Sequence, residues 1–437
     1  MADKKNVLIF SGATYPAIQI IDCLKNNPRF HIIAASSYPN HSEYVCSDTV
    51  VNLPYVNEEN FLDIFIDYVK EKNVEYIIPT DETIALVLKK HEPIIPAIVV
   101  CSPYETTVLC RYKKAAYKEL GGETYVPKVY EANEIDNIED YPVFIKPDSS
   151  QGSKGARKIN SREDFYSVDN LDEMVICEYL PGEEYTVDCF TNKDGKLIFC
   201  NPRVRTRLMN GITARGNNIP FTDEFKVVMN GLNKKVKFRG YWFAQLRRDA
   251  AGNLKLLEIC TRFAGSFAIS KGLGVNLPLL ALCDFSGLDA NVVANDYVVT
   301  CDKTYIDRYK LSISYNHLYV DYDDTVTFKG GTAVNPYVVA YLYQCRARNI
   351  KITLITRHAD TFNESLADSF NHLGLSERLF DEIIELSWNT NKVDVMTETG
   401  NSIFLDNSFA ERKAVYEKYK IPVFDISNMD CLFDWRD

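Results

Sequence analysis

The alternation of apolar strands with amphipathic helices constrains the fold of this 437-residue chain more than any other feature. Near the N-terminus, the apolar run VLIF at residues 7–10 is followed by a turn, a helical segment and a second apolar run, HIIAASS. The next segment places Phe61, Phe65 and Tyr68 on one face of a helix, ahead of the strand VEYIIPT. Strands that alternate with helices pair in parallel, so we predict a parallel α/β sheet over residues 1–108.

The middle of the chain follows a different pattern. The helical segment RYKKAAYKELGG ends at two glycines, and paired strand signals follow at YPVFIKP, GARKI, MVICEYL and EYTVDCF. The sequence NKDGK is typical of a hairpin turn. From about residue 316 the alternation returns, with apolar runs at LYVDYDD, KITLITRH and SIFLDNS. We therefore predict an α+β domain over residues 109–312 and a second parallel-sheet domain over residues 313–437.

Composition argues against several classes of function. The chain has a net charge of −11, so it lacks the excess of Lys and Arg that is typical of nucleic-acid binding. No apolar stretch is long enough for a signal peptide or a membrane span. The twelve cysteines include no C-x-x-C pair, and the six histidines show no H-x-x-x-H spacing of the kind that binds zinc. The first turn also lacks the G-x-G-x-x-G pattern of a dinucleotide site. We expect a cytoplasmic protein with reduced thiols that acts on small molecules, without a nucleic-acid or membrane partner; formation of a homodimer stays open.

A lysine followed by a loop rich in serine and glycine points to phosphate binding in the middle domain. The segment VFIKPDSSQGSKGARKI places Lys146 at a strand end, ahead of Gly152 and Gly155. Glycines allow backbone N–H groups to approach phosphate oxygens, and a lysine supplies positive charge to the same phosphates. A surface hairpin has a similar composition, so this segment alone leaves both interpretations open.

Acids on later strands suggest a metal site. Glu178 and Glu184 flank a Pro-Gly turn, and a later predicted hairpin carries Gln245 on one strand and Glu258 on the next. Oxygen ligands on neighbouring strands suit Mg²⁺, which binds a few protein oxygens together with phosphates. Each acid taken singly could equally be a solvated strand end. The arginine-rich segment NPRVRTRLMNGITARGN is open to two interpretations as well, a clamp for a carboxylate or phosphate or a solvated basic loop.

In this order the segments resemble the ATP-grasp superfamily, particularly its carbamoyl-phosphate-synthetase-like and amino-acid-ligase branches, over roughly residues 1–300. The resemblance rests on RYKKAAYKEL, IKPDSSQGSKG, CEYLPGEEYTVD and LLEICTRFAGS. It implies an α/β and α+β architecture in which a Rossmann-like pre-ATP-grasp domain precedes an ATP-grasp domain. It also implies that ATP activates a carboxylate to an acyl phosphate, which an amine or a related nucleophile then attacks.

The same resemblance assigns roles to individual residues. ATP would be bound by Lys113, Lys146, Ser150, Gly152, Ser153, Gly155, Glu178, Tyr179, Leu180 and Glu184. Mg²⁺ would be held by Glu258 with Gln245, and the phosphate or the acceptor carboxylate by Arg203, Arg205, Arg215 and Arg262. One position departs from the family pattern Glu-x-Asn-x-Arg, because Cys260 stands where asparagine is expected. A thiol is a poor ligand for Mg²⁺, so this position puts a second metal in question.

Acids at the end of an apolar strand form a second candidate site, in the segment LYVDYDDT. Strand periodicity would send Asp321 and Asp323 to the same side, where Mg²⁺ could relieve their repulsion. One carboxylate could then attack phosphorus while the other moves protons. An acidic surface turn has the same composition and is the alternative.

The later strands of this domain end in residues that suit phosphoryl transfer. Thr356 follows KITLI, Lys392 lies in NTNKVDVM, and Asp406 ends SIFLD, ahead of Asn407. In this order, residues 316–437 resemble the haloacid dehalogenase (HAD) superfamily of phosphatases. About thirty residues separate Thr325 from Thr356, which leaves no room for a cap domain between them.

This second resemblance implies a parallel-sheet domain with an aspartyl-phosphate mechanism. Asp321 would be the nucleophile and Asp323 the general acid and base. Thr356 and Lys392 would hold the transferring phosphoryl group. Asp406 would bind Mg²⁺ together with Asp321 and the backbone carbonyl of Asp323.

Together the two resemblances predict a bifunctional enzyme with ATP as a substrate and one Mg²⁺ site in each half. The ligase half would join a carboxylate to a nucleophile, and the phosphatase half would hydrolyse a phosphomonoester. Two alternatives stay open at this point. The ATP-grasp half could be a small-molecule kinase, or one half could be an inactive nucleotide-binding or regulatory module.

Overall fold

The computed structural model describes residues 4–25, 27–149, 155–209, 212–303, 307–328, 330–359, 364–397 and 399–433. A parallel five-stranded sheet forms its N-terminal part. In the order β3-β2-β1-β4-β5, the strands are β1 (Lys5–Phe10), β2 (Phe30–Ala35), β3 (Asp48–Val50), β4 (Val74–Pro79) and β5 (Ile98–Val99). The helices that connect them are α1 (Tyr15–Leu24), α2 (Phe61–Glu71) and α3 (Glu82–Lys90).

Strand β1 is buried on both faces, and each face belongs to a different apolar core. Leu8 and Phe10 pack with α2 and α3, whereas Val7 and Ile9 pack with α1. The second of these cores also contains Phe263 and other residues from the middle of the chain. The N-terminal sheet and the middle of the chain therefore share one apolar core.

Two antiparallel sheets form the middle of the chain. Helices α4 (Tyr104–Arg111) and α5 (Lys113–Glu119) lead into the smaller sheet, which has the order β6-β9-β7-β8. Its strands are β6 (Val129–Tyr130), β7 (Val143–Pro147), β8 (Arg157–Ile159) and β9 (Met174–Glu178).

The larger sheet has seven strands in the order β14-β13-β10-β11-β12-β15-β16. They are β10 (Glu184–Thr191), β11 (Leu197–Met209), β12 (Ile212–Asn218), β13 (Gly240–Arg248), β14 (Leu254–Cys260), β15 (Val299–Lys303) and β16 (Asp307–Leu311). The helices are α6 (Asp223–Lys235), α7 (Ala268–Gly272) and α8 (Leu277–Phe285). Trp242 is fully buried and stacks on Phe238 at 3.9 Å between ring centroids, in the core beneath this sheet.

A second parallel sheet forms the C-terminal part, in the order β21-β20-β17-β22-β23. Its strands are β17 (His317–Val320), β20 (Lys351–Thr356), β21 (Glu382–Glu385), β22 (Ser402–Leu405) and β23 (Val423–Phe424), and a hairpin adds β18 (Thr327–Phe328) and β19 (Ala333–Val334). The helices are α9 (Pro336–Ala347), α10 (Leu366–Leu373), α11 (Lys392–Val395) and α12 (Phe409–Tyr419). Within the described residues, only the hairpin and α9 lie between Thr325 and β20, as the short spacing predicted.

Polar contacts fasten the C-terminal part to the middle of the chain. The Lys271 ammonium on α7 lies 2.9 Å from an Asp430 carboxylate oxygen, and the Asn276 amide donates to the Ser427 hydroxyl at 2.7 Å. The Asn295 amide bonds to both backbone groups of Val423 on β23, each at 3.2 Å. Over the part of the chain that the structure covers, no helix is long and apolar enough to cross a membrane.

The Lys271–Asp430 pair generates a prediction about stability. Lys271 keeps only 5% of its side chain exposed, so Asp430→Ala would leave a buried ammonium without its carboxylate. Asp430 itself is 41% exposed, which reduces the effect, and we expect a loss of about 2 kcal/mol in the free energy of unfolding, measured in urea. The double variant Lys271→Met/Asp430→Ala removes both charges and should recover most of this loss. Equal stability of Asp430→Ala and the parent protein would contradict the prediction.

Candidate active sites

One cavity of about 260 Å³ collects most of the residues that the sequence predicted for ATP, metal and substrate. The predicted residues that line it are Lys113, Lys146, Glu178, Tyr179, Leu180, Glu184, Arg203, Arg205, Gln245, Glu258 and Arg262. Three further predicted residues, Ser150, Gly152 and Ser153, lie outside the described residues. The cavity is bounded by both antiparallel sheets, because its lining includes residues of β7 and β9 as well as of β10, β11, β13 and β14.

Antiparallel register explains why so many polar side chains meet here. Thr186 on β10 lies opposite Arg203 on β11 and Gln245 on β13. Gln245 in turn lies opposite Glu258 on β14. Directly opposed residues of neighbouring strands point to the same face, so these four side chains form one row across the sheet. Glu184, two residues before Thr186, belongs to the next row on the same face.

Two lysines bring positive charge into the cavity. The Lys146 ammonium donates to the Tyr117 hydroxyl at 2.8 Å and to the Leu257 carbonyl at 2.7 Å. Lys113 lies with its ammonium 3.7 Å from a carboxylate oxygen of Glu258. Burial lowers the pKa of Lys146, because the charged form loses hydration. A polyphosphate in this cavity would supply the negative charge that stabilises both ammonium groups.

The predicted metal ligands Gln245 and Glu258 are in direct contact. In the amide orientation that satisfies both neighbours, Gln245 donates to Glu258 Oε1 at 3.0 Å and accepts from Arg205 at 2.9 Å. Arg205 also forms an ion pair with Glu184 at 2.9 Å. A carboxylate and an amide oxygen beside phosphates fit a single Mg²⁺, which takes oxygen ligands. The Gln245 oxygen would have to leave Arg205 to serve as a ligand.

Glu82, at the start of α3, contacts Arg262 of the cavity lining and was missed by the sequence reasoning. Its carboxylate accepts from Arg111 at 2.9 Å and from the Cys260 thiol at 3.0 Å, and it forms an ion pair with Arg262 at 3.2 Å. Burial alone would raise the pKa of Glu82, but Arg262, Cys260 and Arg111 outweigh it and hold the pKa below its usual value. Cys260 therefore points to Glu82 rather than into the cavity, and burial beside this acid raises the pKa of its thiol.

Arg203 is held by a buried acid, which changes its predicted role. Its guanidinium binds both carboxylate oxygens of Asp188 at 2.9 Å, and Tyr241 donates to the same carboxylate at 2.6 Å. Arg203 and Asp188 are almost completely buried. Asp188 compensates the charge of Arg203, so we assign Arg203 to the cavity wall rather than to a clamp on a substrate anion. The sequence pattern gave no signal for Asp188, which lies within an apolar strand.

Two predicted residues do not line the cavity. Arg215 on β12 pairs with Asp302 at 2.5 Å, beside Arg207, and half of its side chain is exposed. We therefore remove Arg215 from the substrate-binding set. Gly155 has a φ of +73°, and a Cβ there would lie 2.9 Å from Pro147, so glycine is required by the backbone at this position.

The second group of predicted residues meets at the carboxyl edge of the C-terminal sheet. The Lys392 ammonium lies between the carboxylates of Asp321 and Asp406, and the distance to Asp406 is 2.7 Å. The Thr325 hydroxyl donates to the other oxygen of Asp321 at 2.9 Å. Burial raises the pKa of Asp321, and the nearby Asp406 adds to this effect while Lys392 opposes it. The structure thus brings together the ends of β17, β22 and α11.

Asp323 contacts residues at and just after the end of β20, and the strand periodicity from which it was predicted does not apply to it. Strand β17 ends at Val320, so Asp321 and Asp323 lie in the turn that follows and a two-residue period does not apply. Asp323 accepts from the Thr356 hydroxyl at 3.3 Å and lies 2.7 Å from the His358 ring nitrogen Nδ1. The sequence reasoning identified Thr356 but missed His358, which stands two residues further on.

The carboxylates at this edge are suitable ligands for a divalent ion. Asp321 and Asp406 are both buried, and a single lysine lies between them. Two carboxylates against one ammonium leave a net negative charge, which suits Mg²⁺ and its preference for oxygen. Within the described part of the chain, no group of three or more histidine, cysteine or acidic side chains is arranged to hold a metal ion. Mg²⁺ binding here would therefore need oxygen atoms of another kind besides those of Asp321 and Asp406, such as the backbone carbonyl of Asp323.

Part of the chain that lines the first cavity matches a known protein family. Residues 170–304 match a family model described as ATP-grasp in the biosynthetic pathway with Ter operon. Among solved structures, biotin carboxylase from Campylobacter jejuni in complex with β-γ-ATP is similar, with 14% identity, coverage of 69% of this chain and 76% of that chain, and a TM-score of 0.57. N5-carboxyaminoimidazole synthetase from Staphylococcus aureus in complex with ADP is also similar, with 18% identity and a TM-score of 0.58. The match covers 69% of this chain and 83% of that chain. No match was found among curated protein sequences.

A third similar structure is the L-amino acid ligase from Bacillus licheniformis, with 15% identity, coverage of 69% of this chain and 79% of that chain, and a TM-score of 0.53. At these identities the solved structures establish a shared fold. Together with the family match, they show that this chain contains an ATP-grasp domain.

The contacts of Glu82 generate a prediction about pH. A depressed pKa in the folded state means that the ionised carboxylate adds stability above the usual pKa of 4.5, and this contribution is lost as pH falls below it. Glu82→Gln should therefore be less stable than the parent protein at pH 7, and the difference should shrink as the pH falls below 4.5. Thermal denaturation between pH 3.5 and 7 measures this, with the exposed Glu75→Gln as the matched control. A difference that is independent of pH would contradict the role of charge.

Proposed function

We propose that the ATP-grasp part of the chain is a ligase that joins a carboxylate to an amine or a related nucleophile through an acyl phosphate. The observation that carries this proposal is a single cavity in which Lys113, Lys146 and Arg262 face Glu258 and Gln245. Such a set combines cations for a triphosphate with oxygen ligands for Mg²⁺. The family description refers to a biosynthetic pathway, which agrees with a bond-forming reaction.

The proposed reaction has two steps. A carboxylate oxygen of the substrate attacks the γ-phosphorus of ATP, the bond to the bridging oxygen breaks, and ADP leaves. The nucleophile then attacks the acyl carbon and gives up a proton to solvent, and inorganic phosphate leaves with the electrons of the broken bond. Lys113, Lys146 and Arg262 would balance the phosphate charge during transfer, and Glu82 would keep Arg262 in place. Mg²⁺ at Glu258 and Gln245 would supply further charge neutralisation at the phosphates.

A phosphorylation without ligation is the alternative for this half. It would use the same ATP contacts and leave a stable phosphate product instead of an amide or a related bond. Mass analysis of products formed with ATP separates the two reactions. Nucleotide-dependent thermal stabilisation without release of ADP would instead indicate an inactive binding module.

Removing Lys146 tests the ligase proposal. Lys146→Ala deletes a buried ammonium from the phosphate end of the cavity, and we expect acceptor-dependent release of ADP to fall about 100-fold or more. The assay measures ADP with a panel of carboxylates and amines, and mass spectrometry identifies the product. Arg215→Ala is the matched control, because Arg215 lies outside the cavity and should leave the rate unchanged. Undiminished ADP release by Lys146→Ala would overturn the assignment of the site.

A second function is favoured by the cluster of Asp321, Lys392 and Asp406. We propose that residues 313–437 form a HAD-like phosphatase domain, which hydrolyses a phosphomonoester through an aspartyl-phosphate. Supporting observations are the buried carboxylate pair bridged by a lysine and the placement of Thr356 beside Asp323. No cap lies between Thr325 and β20 in the described residues, so the site would take a bulky substrate or be covered by the ligase half.

In the proposed hydrolysis, an oxygen of Asp321 attacks phosphorus, and the bond from phosphorus to the ester oxygen breaks. Asp323 gives a proton to that oxygen, which leaves as an alcohol. Water then attacks the aspartyl-phosphate, Asp323 takes a proton from it, and inorganic phosphate leaves. Lys392 would hold the charge of the phosphoryl group, and Thr325 keeps Asp321 oriented. Mg²⁺ bound by Asp321 and Asp406 would lower the charge repulsion between nucleophile and phosphate.

Removal of the nucleophile tests the phosphatase proposal. Asp321→Asn should reduce Mg²⁺-dependent hydrolysis of p-nitrophenyl phosphate by about 1000-fold or more, because an amide cannot form the acyl phosphate. Asp324→Asn is the matched control, since Asp324 has a φ of +54° that asparagine tolerates and has no role in the proposed chemistry. EDTA should abolish hydrolysis in the parent protein, and added Mg²⁺ should restore it. If Asp321→Asn keeps its rate, the proposed nucleophile is wrong.

A further inference from the structure

His358 is a buried histidine in direct contact with Asp323, and the proposed hydrolysis leaves it without a role. Its side chain is 1% exposed, and its Nδ1 lies 2.7 Å from Asp323 Oδ1. The Thr356 hydroxyl holds the other oxygen, Oδ2, at 3.3 Å. Both oxygens of Asp323 are therefore engaged, one by the last residue of β20 and the other by a residue just after this strand.

Several contacts fix the His358 ring. The backbone N–H of His358 donates to the Thr356 hydroxyl at 3.1 Å, which ties the two partners of Asp323 together. The Tyr322 ring packs edge-on against the imidazole, with 5.1 Å between ring centroids. On the far side of the ring, Nε2 lies 3.7 Å from a carboxylate oxygen of Glu364. A ring with neighbours on these sides can keep a carboxylate in one orientation.

We propose that His358 is a positioning residue, which keeps Asp323 directed at the leaving oxygen of a phosphomonoester; this inference rests on the proposed phosphatase function. A bound phosphoryl group would attract the Thr356 hydroxyl and draw it from Oδ2. The imidazole would still hold Oδ1, so Asp323 would not rotate away. Oδ2 would then be the oxygen that exchanges the proton with the leaving group.

The orientation of Asp323 matters for proton transfer to the leaving oxygen. As the bond from phosphorus to the ester oxygen breaks, that oxygen receives the electron pair and the proton from Asp323. A leaving group that is stable as an anion, such as p-nitrophenolate, gains little from this proton. Phenolate is more basic and gains more, so loss of the orientation of Asp323 affects phenyl phosphate more strongly.

The test compares two esters of similar shape with full-length protein and Mg²⁺. In His358→Ala, we expect kcat/KM for phenyl phosphate to fall about 10- to 100-fold more than kcat/KM for p-nitrophenyl phosphate. His358→Asn keeps an N–H donor near the position of Nδ1 and should restore the ratio to within a few-fold of the parent value. His372→Ala is the matched control, because this half-exposed imidazole contacts Glu364 but not Asp323, and it should leave the ratio unchanged.

The quantity kcat/KM reports the step in which the leaving group departs, so slower hydrolysis of the aspartyl-phosphate does not affect the ratio. Equal losses for both esters in His358→Ala would assign His358 a structural role only and overturn the inference. Hydrolysis of neither ester by the parent protein would instead overturn the phosphatase proposal, and the inference with it. Thermal stabilisation by a non-hydrolysable ATP analogue verifies that the ATP-grasp part of each variant is folded.

Discussion

The antiparallel register of β11, β10, β13 and β14 is the constraint on which the first site depends. Because opposed residues share a face, each row places side chains from four strands side by side above an apolar core. Thr186, Gln245 and Glu258 reach the cavity in one such row. A shift of one residue in any of these strands would turn its polar side chains into the core, so register and site are specified by the same apolar pattern.

Buried charge is tolerated at both sites because acidic and basic groups from distant segments meet. Glu82 in the N-terminal part binds Arg262 and Arg111, and Asp188 binds Arg203 within the sheet. In the C-terminal part, Lys392 bridges two buried carboxylates. Ionic groups of this kind add little net stability when their desolvation is counted, but removal of one partner is costly. We infer that these pairs mainly fix the orientation of the residues that face the substrates.

Local patterns in the sequence predicted the element types, and the resemblance to a known family identified about half of the residues that line the cavity. The hairpin at NKDGK joins β10 to β11, and the runs KITLIT and SIFLD end at Thr356 and Asp406 on the two strands that flank β17. Residues that depend on contacts between distant segments were not predictable, because neither Glu82 nor Asp188 carries a local signal. Arg215 had the expected composition around it, yet Asp302 from β15 holds it at the surface. The two-residue period used for Asp321 and Asp323 does not apply, because β17 ends at Val320.

The amide of Asn295 has a consequence for association between molecules. Strand β23 is the last strand of the C-terminal sheet, and an open strand of this kind offers unpaired backbone groups to other chains. The Asn295 side chain bonds to the N–H and the C=O of Val423 as the peptide group of an added strand would. A side chain from the ATP-grasp part thus blocks this edge against intermolecular β-pairing, and separation of the two parts would expose a surface prone to aggregation.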